Sequence, residues 1–177
     1  MIGKTIAEIS PGDSAELVRR VETDDIASFI DAVGDLNPIH SDPAYAATTS
    51  FKEPIAPGIF TAGLISAVIG TRLPGPGAIY LTQSLQFVKP VRAGDTITAR
   101  VNVLEVIRER NRVRLQTLCV NQRDEEVLLG EAWVMPSRAH VTYEERRPSA
   151  SLALHPWALA AQAMRLWAAM VTSAVRR

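Results

Sequence analysis

The stretch Gly58-Ile59-Phe60-Thr61-Ala62-Gly63-Leu64-Ile65-Ser66-Ala67-Val68-Ile69-Gly70-Thr71-Arg72-Leu73 is apolar on nearly every side, relieved by Thr61, Ser66, Gly63 and Gly70. A helix of that kind has no face to offer water and must be buried. Its length and its small residues argue against a membrane span, so it is predicted to be a central helix wrapped by sheet. The glycines permit close backbone approach.

Downstream of it lies the material for that sheet. After Pro74-Gly75-Pro76-Gly77 come β-type runs at about residues 78–89, 95–109, 112–122 and 126–135, separated by Pro90, Gly94 and polar turns. Short links between consecutive strands imply antiparallel pairing. A further strand near residues 15–22 completes an α+β domain in which the sheet curls round the helix.

Upstream, Thr23 is placed to cap a helix opened by Asp24 and Asp25, with Ile26, Phe29, Ile30 and Val33 as its apolar stripe. Gly34 ends it. Ser41-Asp42-Pro43 then starts a short helix over residues 44–49 that carries Tyr45. Between the two lies Gly34-Asp35-Leu36-Asn37-Pro38-Ile39-His40, where the Asn-Pro turn sets a carboxylate and an imidazole close enough to touch one water. From these residues alone a second reading stands beside it: a glycine helix cap, a turn, and two solvated side chains.

The flanking sequence separates the two. Gly34 to His40, Ala46, Ala56-Pro57-Gly58-Ile59, Gly75-x-Gly77-Ala78-Ile79-Tyr80-Leu81, Gln83-Ser84-Leu85, Phe87, Lys89-Pro90-Val91 and Ala93-Gly94-Asp95 occur in the order found in MaoC-like hydratases, and over residues 10–136 the chain resembles that family. The resemblance implies the hot dog fold and an (R)-specific enoyl-CoA hydratase. Asp35 and His40 would activate water for addition to a trans-2-enoyl thioester. Gly58 matches the position whose backbone N–H stabilises the enolate oxygen. Ser66, aligned without gaps from the Asp-His motif, matches a serine near the acyl site, although a small hydroxyl on an apolar helix also serves packing. Asn37 matches an asparagine that supports the turn, and Pro38 locks it. Two positions depart from the pattern: Pro57 stands where many members have His, and Val33 replaces a small or hydroxylated residue.

Composition narrows the alternatives. The chain has 177 residues, 47% of them hydrophobic, enough for one substantial core. Lys plus Arg and Asp plus Glu both number 19, so no basic excess argues for nucleic acid. Cys119 is the single cysteine, in an alternating segment that suits a packed thiol. No Cys/His set has metal-ligand spacing and no glycine-rich phosphate loop appears, so neither metal nor cofactor is expected and CoA enters with the substrate. The N-terminus lacks the pattern of a secretory signal, and a cytoplasmic protein is expected.

Residues 1–137 are thus expected to form the hot dog domain, and 138–177 a linker with an amphipathic helix beyond Pro156. In that helix Trp157, Ala161, Met164, Ala168, Val171 and Val175 recur at helical spacing. It is expected to dock on its own domain or on a second subunit in preference to a membrane or granule surface. An exposed sheet edge makes a homodimer the expected assembly, with sites near the subunit interface. Competing readings are a dehydratase acting on acyl-carrier-protein thioesters, a thioesterase, which the Asp-x-Asn-Pro-x-His turn opposes, and a non-catalytic hot dog subunit serving as a binding or scaffold partner.

Overall fold

The computed structural model describes residues 1–144, which form one compact unit, Met1–Glu144. The amphipathic segment beyond Pro156 lies outside the described residues.

Strands β1 (Ile2–Gly3) and β2 (Ser14–Arg20) precede helices α1 (Thr23–Val33), α2 (Pro43–Thr48) and α3 (Gly58–Thr71). Strands β3 (Ile79–Phe87), β4 (Thr96–Ile107), β5 (Arg112–Val120), β6 (Glu126–Met135) and β7 (Val141–Thr142) follow. The main sheet is antiparallel throughout, in the order β2-β4-β5-β6-β3. Alternation makes one face of it largely apolar: Ile97, Ala99, Val101 and Val103 of β4 and Val113, Leu115, Thr117 and Cys119 of β5 are buried, with the residues of opposite parity less so. Against this face α3 packs Ile65, Val68 and Ile69, all 2% exposed or less. This is the hot dog arrangement that the sequence predicts.

The burial of α3 is less complete than its composition implies. Ile59, Gly63, Ser66 and Gly70 form an exposed stripe along one side. The reason is that a sheet covers one side of a helix: Thr61, Ile65, Val68 and Ile69 face it, and the stripe lies on the side turned away. Ile79, Leu81 and Phe87 of β3 are exposed as well.

Two smaller corrections concern boundaries. Helix α1 starts at Thr23 with Glu22 in the cap position, because the Asp25 carboxylate accepts the Glu22 N–H at 3.0 Å and draws the first turn one residue earlier. Residues 138–144 are part of the compact unit and not linker: β7 pairs with β1, the N-terminal ammonium donates to the Tyr143 carbonyl at 2.8 Å, and His140 Nε2 meets Glu8 at 2.9 Å. With the His140 contact first, and the Thr5 N–H and hydroxyl after it, these donors hold the Glu8 carboxyl down at about 2.

Where β3 meets β6 the packing leaves no room for a side chain. Tyr80, 37% exposed, and the half-buried Gln83 lie opposite their register partners Val134 and Ala132. The Tyr80 hydroxyl donates to the Gln83 carbonyl oxygen, and the Gln83 amide donates to the buried Thr117 hydroxyl at 2.9 Å. This chain of polar groups crosses above Gly130, where a Cβ would lie 1.9 Å from the Ser84 carbonyl oxygen and 2.7 Å from the Gln83 amide nitrogen. Backbone has to move to relieve such an overlap. Gly130→Ala is therefore expected to destabilise the protein by about 3 kcal/mol. At about 2–4 °C per kcal/mol for a chain of this size, thermal unfolding should show a midpoint roughly 6–12 °C lower. An unchanged midpoint would rule out this close apposition of β3 and β6.

Candidate active site

Helix α1 stops at Gly34, which takes the left-handed conformation at φ 72° and donates its N–H to Ile30 O at 2.8 Å. The reversal carries Asp35 off the helix axis. Asp35 Oδ1 then accepts the Asn37 N–H, and Asn37 Oδ1 accepts the Ile39 N–H, both at 3.3 Å. Asn37 thus caps the single 3-10 turn Pro38–His40, whose φ at Pro38 is fixed by the ring. On the far side Asp42 caps α2, accepting from Ala44 at 2.9 Å and Tyr45 at 3.1 Å. Both ends of the turn are pinned, and His40 sits between them.

The imidazole is oriented by a residue that sequence reasoning missed. His40 Nδ1 lies 2.8 Å from the carbonyl oxygen of Ile55, and the Ile55 N–H returns a bond to Ile39 O at 3.2 Å. A carbonyl can only accept, so Nδ1 carries the proton and the neutral ring presents its Nε2 lone pair on the other side. Nε2 points at Asp35 Oδ2, 3.6 Å away. That is too long for a direct hydrogen bond, and an ionised carboxylate facing an unprotonated nitrogen offers no hydrogen to make one. A water donating one hydrogen to each acceptor satisfies both, with its lone pairs turned outward. His40 is nearly buried, its side chain 10% exposed, while that of Asp35 is 37% exposed.

Gly58 opens α3 next to this pair. Its cap residue Pro57 is extended and supplies no side-chain bond, and among the described residues nothing accepts the Gly58 N–H. A free amide at the positive end of a long helix is suited to an oxygen that gains negative charge. A Cβ here would come within 2.8 Å of the Phe87 ring, which would have to shift to admit it. A cavity of about 280 Å³ has His40, Ile55, Gly58, Thr61, Phe87 and Lys89 among its lining residues.

Of the residues singled out from sequence, His40 and Gly58 line this cavity, Asp35 lies 3.6 Å from His40 without lining it, and Asn37 stays within the turn. Ser66 does not line this cavity; it lies on the exposed stripe of α3, eight residues or about 12 Å beyond Gly58. Cys119 is fully buried, with Sγ 3.9 Å from Thr61 O, and burial pushes its thiol up to about 12. It remains protonated and serves packing. The cavity wall contributed by Thr61, Phe51 and Lys89, and the Ile55 carbonyl, were not foreseen. The signal for the last was Glu53-Pro54-Ile55-Ala56-Pro57, two prolines that hold a strap extended and leave its carbonyls free for side chains.

An apolar helix cradled in a curved antiparallel sheet, with an Asp-His turn at its N-terminal end, defines the hot dog hydratase class. Residues 8–125 match the family model described as MaoC like domain, and the chain belongs to that family. It is 48% identical over 132 residues to the (R)-specific enoyl-CoA hydratase of Rhodospirillum rubrum, an alignment covering 74% of this chain and 91% of that one. It is 48% identical over 127 residues to the 3-hydroxybutyryl-CoA dehydratase of Methylorubrum extorquens, covering 72% and 80%. Among solved structures, the R-hydratase PhaJ1 from Pseudomonas aeruginosa superposes with a TM-score of 0.76 at 43% identity, over 81% of this chain and 92% of that one.

Proposed function

We propose that this chain is an (R)-specific enoyl-CoA hydratase, a hydro-lyase adding water to trans-2-enoyl-CoA to give (R)-3-hydroxyacyl-CoA. The observation that carries the reading is the 3.6 Å gap between His40 Nε2 and Asp35 Oδ2, with Nδ1 committed to Ile55 O. Water held there adds its oxygen to the β-carbon. The double-bond electrons move toward the thioester carbonyl, whose oxygen takes up negative charge against the Gly58 N–H. The proton released by the water passes to the Asp35/His40 pair, and the α-carbon receives one from the same side, so one water is consumed and hydroxyl and hydrogen arrive on one face. Identity with curated hydratases over most of the chain supports this assignment.

The test is the loss of enoyl absorbance of crotonyl-CoA and of a longer trans-2-enoyl-CoA, with chiral analysis of the product. Formation of the (R)-3-hydroxyacyl-CoA is expected; release of free CoA instead would replace the hydratase by a thioesterase. A mitochondrial 3-hydroxyacyl-[acyl-carrier-protein] dehydratase of Solanum lycopersicum, 32% identical over 126 residues, keeps carrier-protein thioesters as the second reading. Relative rates on the two carriers distinguish them.

The same proposal includes a homodimer. It is supported by the unpaired edge of β3 and by the bare stripe Ile59, Gly63, Ser66 and Gly70 of α3, apolar and small surfaces of the kind a second copy covers. A cytoplasmic location belongs to it as well, supported by the single, unpaired Cys119 and by the use of a CoA thioester.

A further inference from the structure

Of the residues that line the active-site cavity, Lys89 alone carries a fixed positive charge. The chemistry of the site does not use it, and its position follows from the order of atoms in the substrate. Reading an enoyl thioester along its length, the reacting carbons lie at His40 and Asp35, the carbonyl oxygen at Gly58, and the sulfur and pantetheine arm beyond. His40, Gly58 and Lys89 line one cavity, and exposure distinguishes its ends: the His40 side chain is 10% exposed and that of Lys89 47%, so Lys89 stands at the far, open end. The far end is therefore the exit for the carrier arm.

Lys89 is held at that exit. The Val88 N–H donates to Val127 O at 2.9 Å, so this segment continues the β3–β6 ladder, and Pro90 follows to stiffen it. The ammonium lies 2.6 Å from Glu125 Oε1. Glu125 is itself anchored by the Asn121 amide and the Arg123 guanidinium, each at 2.8 Å, and these donors together with Lys89 hold its carboxyl down at about 2. Asp124 and Glu126 share the hairpin with Glu125, so Lys89 is a local positive charge beside an acidic turn. The Lys89 side chain is 47% exposed, and its ammonium keeps donors free for an arriving anion.

Resting on the hydratase reading, we propose that Lys89 is a carrier-binding residue whose ammonium, stationed by Glu125, contacts the phosphate at the outer end of the pantetheine arm. That phosphate is common to CoA and to acyl-carrier protein. Such a contact helps capture substrate and does nothing for the chemical step, so it belongs to KM and not to kcat.

The experiment compares Lys89→Gln and Glu125→Gln with wild type on crotonyl-CoA, crotonyl-acyl-carrier protein and crotonyl-pantetheine, which lacks phosphate. Thermal unfolding is recorded for each variant. Lys89→Gln is expected to raise KM for a phosphate-bearing carrier about three- to tenfold at low salt, with kcat unchanged and no change on crotonyl-pantetheine. Whichever phosphate-bearing carrier responds identifies the source. Glu125→Gln keeps an oxygen for Lys89 but removes the competing charge, so its KM is expected to fall. If both variants raise KM alike, or if crotonyl-pantetheine responds as CoA does, the ion pair is structural and the proposal is overturned. Calorimetric binding of CoA separates this from the hydratase reading: Lys89-dependent binding without turnover upholds the contact and removes the activity, while turnover with Lys89-independent binding and KM does the reverse.

Discussion

Asp35→Asn is expected to lower kcat/KM for crotonyl-CoA by about 10²–10⁴, the range that a positioned acid/base contributes, and His40→Ala by a similar factor. The asparagine preserves shape but presents no anionic acceptor, so the water between it and His40 loses the group that orients and deprotonates it. The two losses should not add in the double variant, because both side chains hold the same water. Fold stability is expected to survive in Asp35→Asn. The Asp35 side chain is 37% exposed, and its one resolved hydrogen bond, from the Asn37 N–H, is kept by the asparagine oxygen. Enoyl absorbance assays beside thermal unfolding check both parts; a variant with near-normal turnover would remove the mechanism.

The second large effect is expected at Gly58. Gly58→Ala retains the N–H but places a methyl 2.8 Å from the Phe87 ring, on the side from which the thioester carbonyl must approach. Phe87 is 51% exposed, so its ring can swing aside without disturbing the core. The expectation is thus a split outcome: kcat lower by about 10²-fold, the scale of losing one oxyanion donor, with little change in the unfolding midpoint. A matching fall in stability and activity would mean that Gly58 is needed for packing alone. Full activity would show that the carbonyl is polarised elsewhere.

Much of this was legible before any coordinates. The all-round apolar run from Gly58 and the four β-type runs after it specify one helix against an antiparallel sheet, because helical and strand periodicities leave few other ways to bury those faces. Gly34, Asn37 and Pro38 are residues whose backbone preferences are strong enough to read a turn directly. What stayed hidden depends on contacts distant in sequence. The Ile55 carbonyl that fixes the His40 tautomer lies fifteen residues away, on a strap with no periodicity to reveal it. The bare side of α3 is the one turned from the sheet, and a helix apolar all round carries no pattern to say which side that is. Counting positions from the Asp-His motif places Ser66 along α3 but does not say which face it takes, and the structure puts it on the side turned from the sheet. The strand at residues 141–142 was read as linker because two residues carry no pattern of their own.

The position of β3 also bears on how the protein comes into being. Among the described strands β3 pairs with β6 alone, joining Phe87 to Leu128, so the cavity wall is built across a long separation in sequence. The Asp35–His40 turn is closed by local bonds and by a strap fifteen residues on, and such contacts form early and cheaply. On a ribosome the turn can be made while the wall opposite it is still waiting for residues 127–135 to emerge. The chain therefore possesses its catalytic turn before it has a place to hold substrate, and binding is acquired with the last strand to join the sheet.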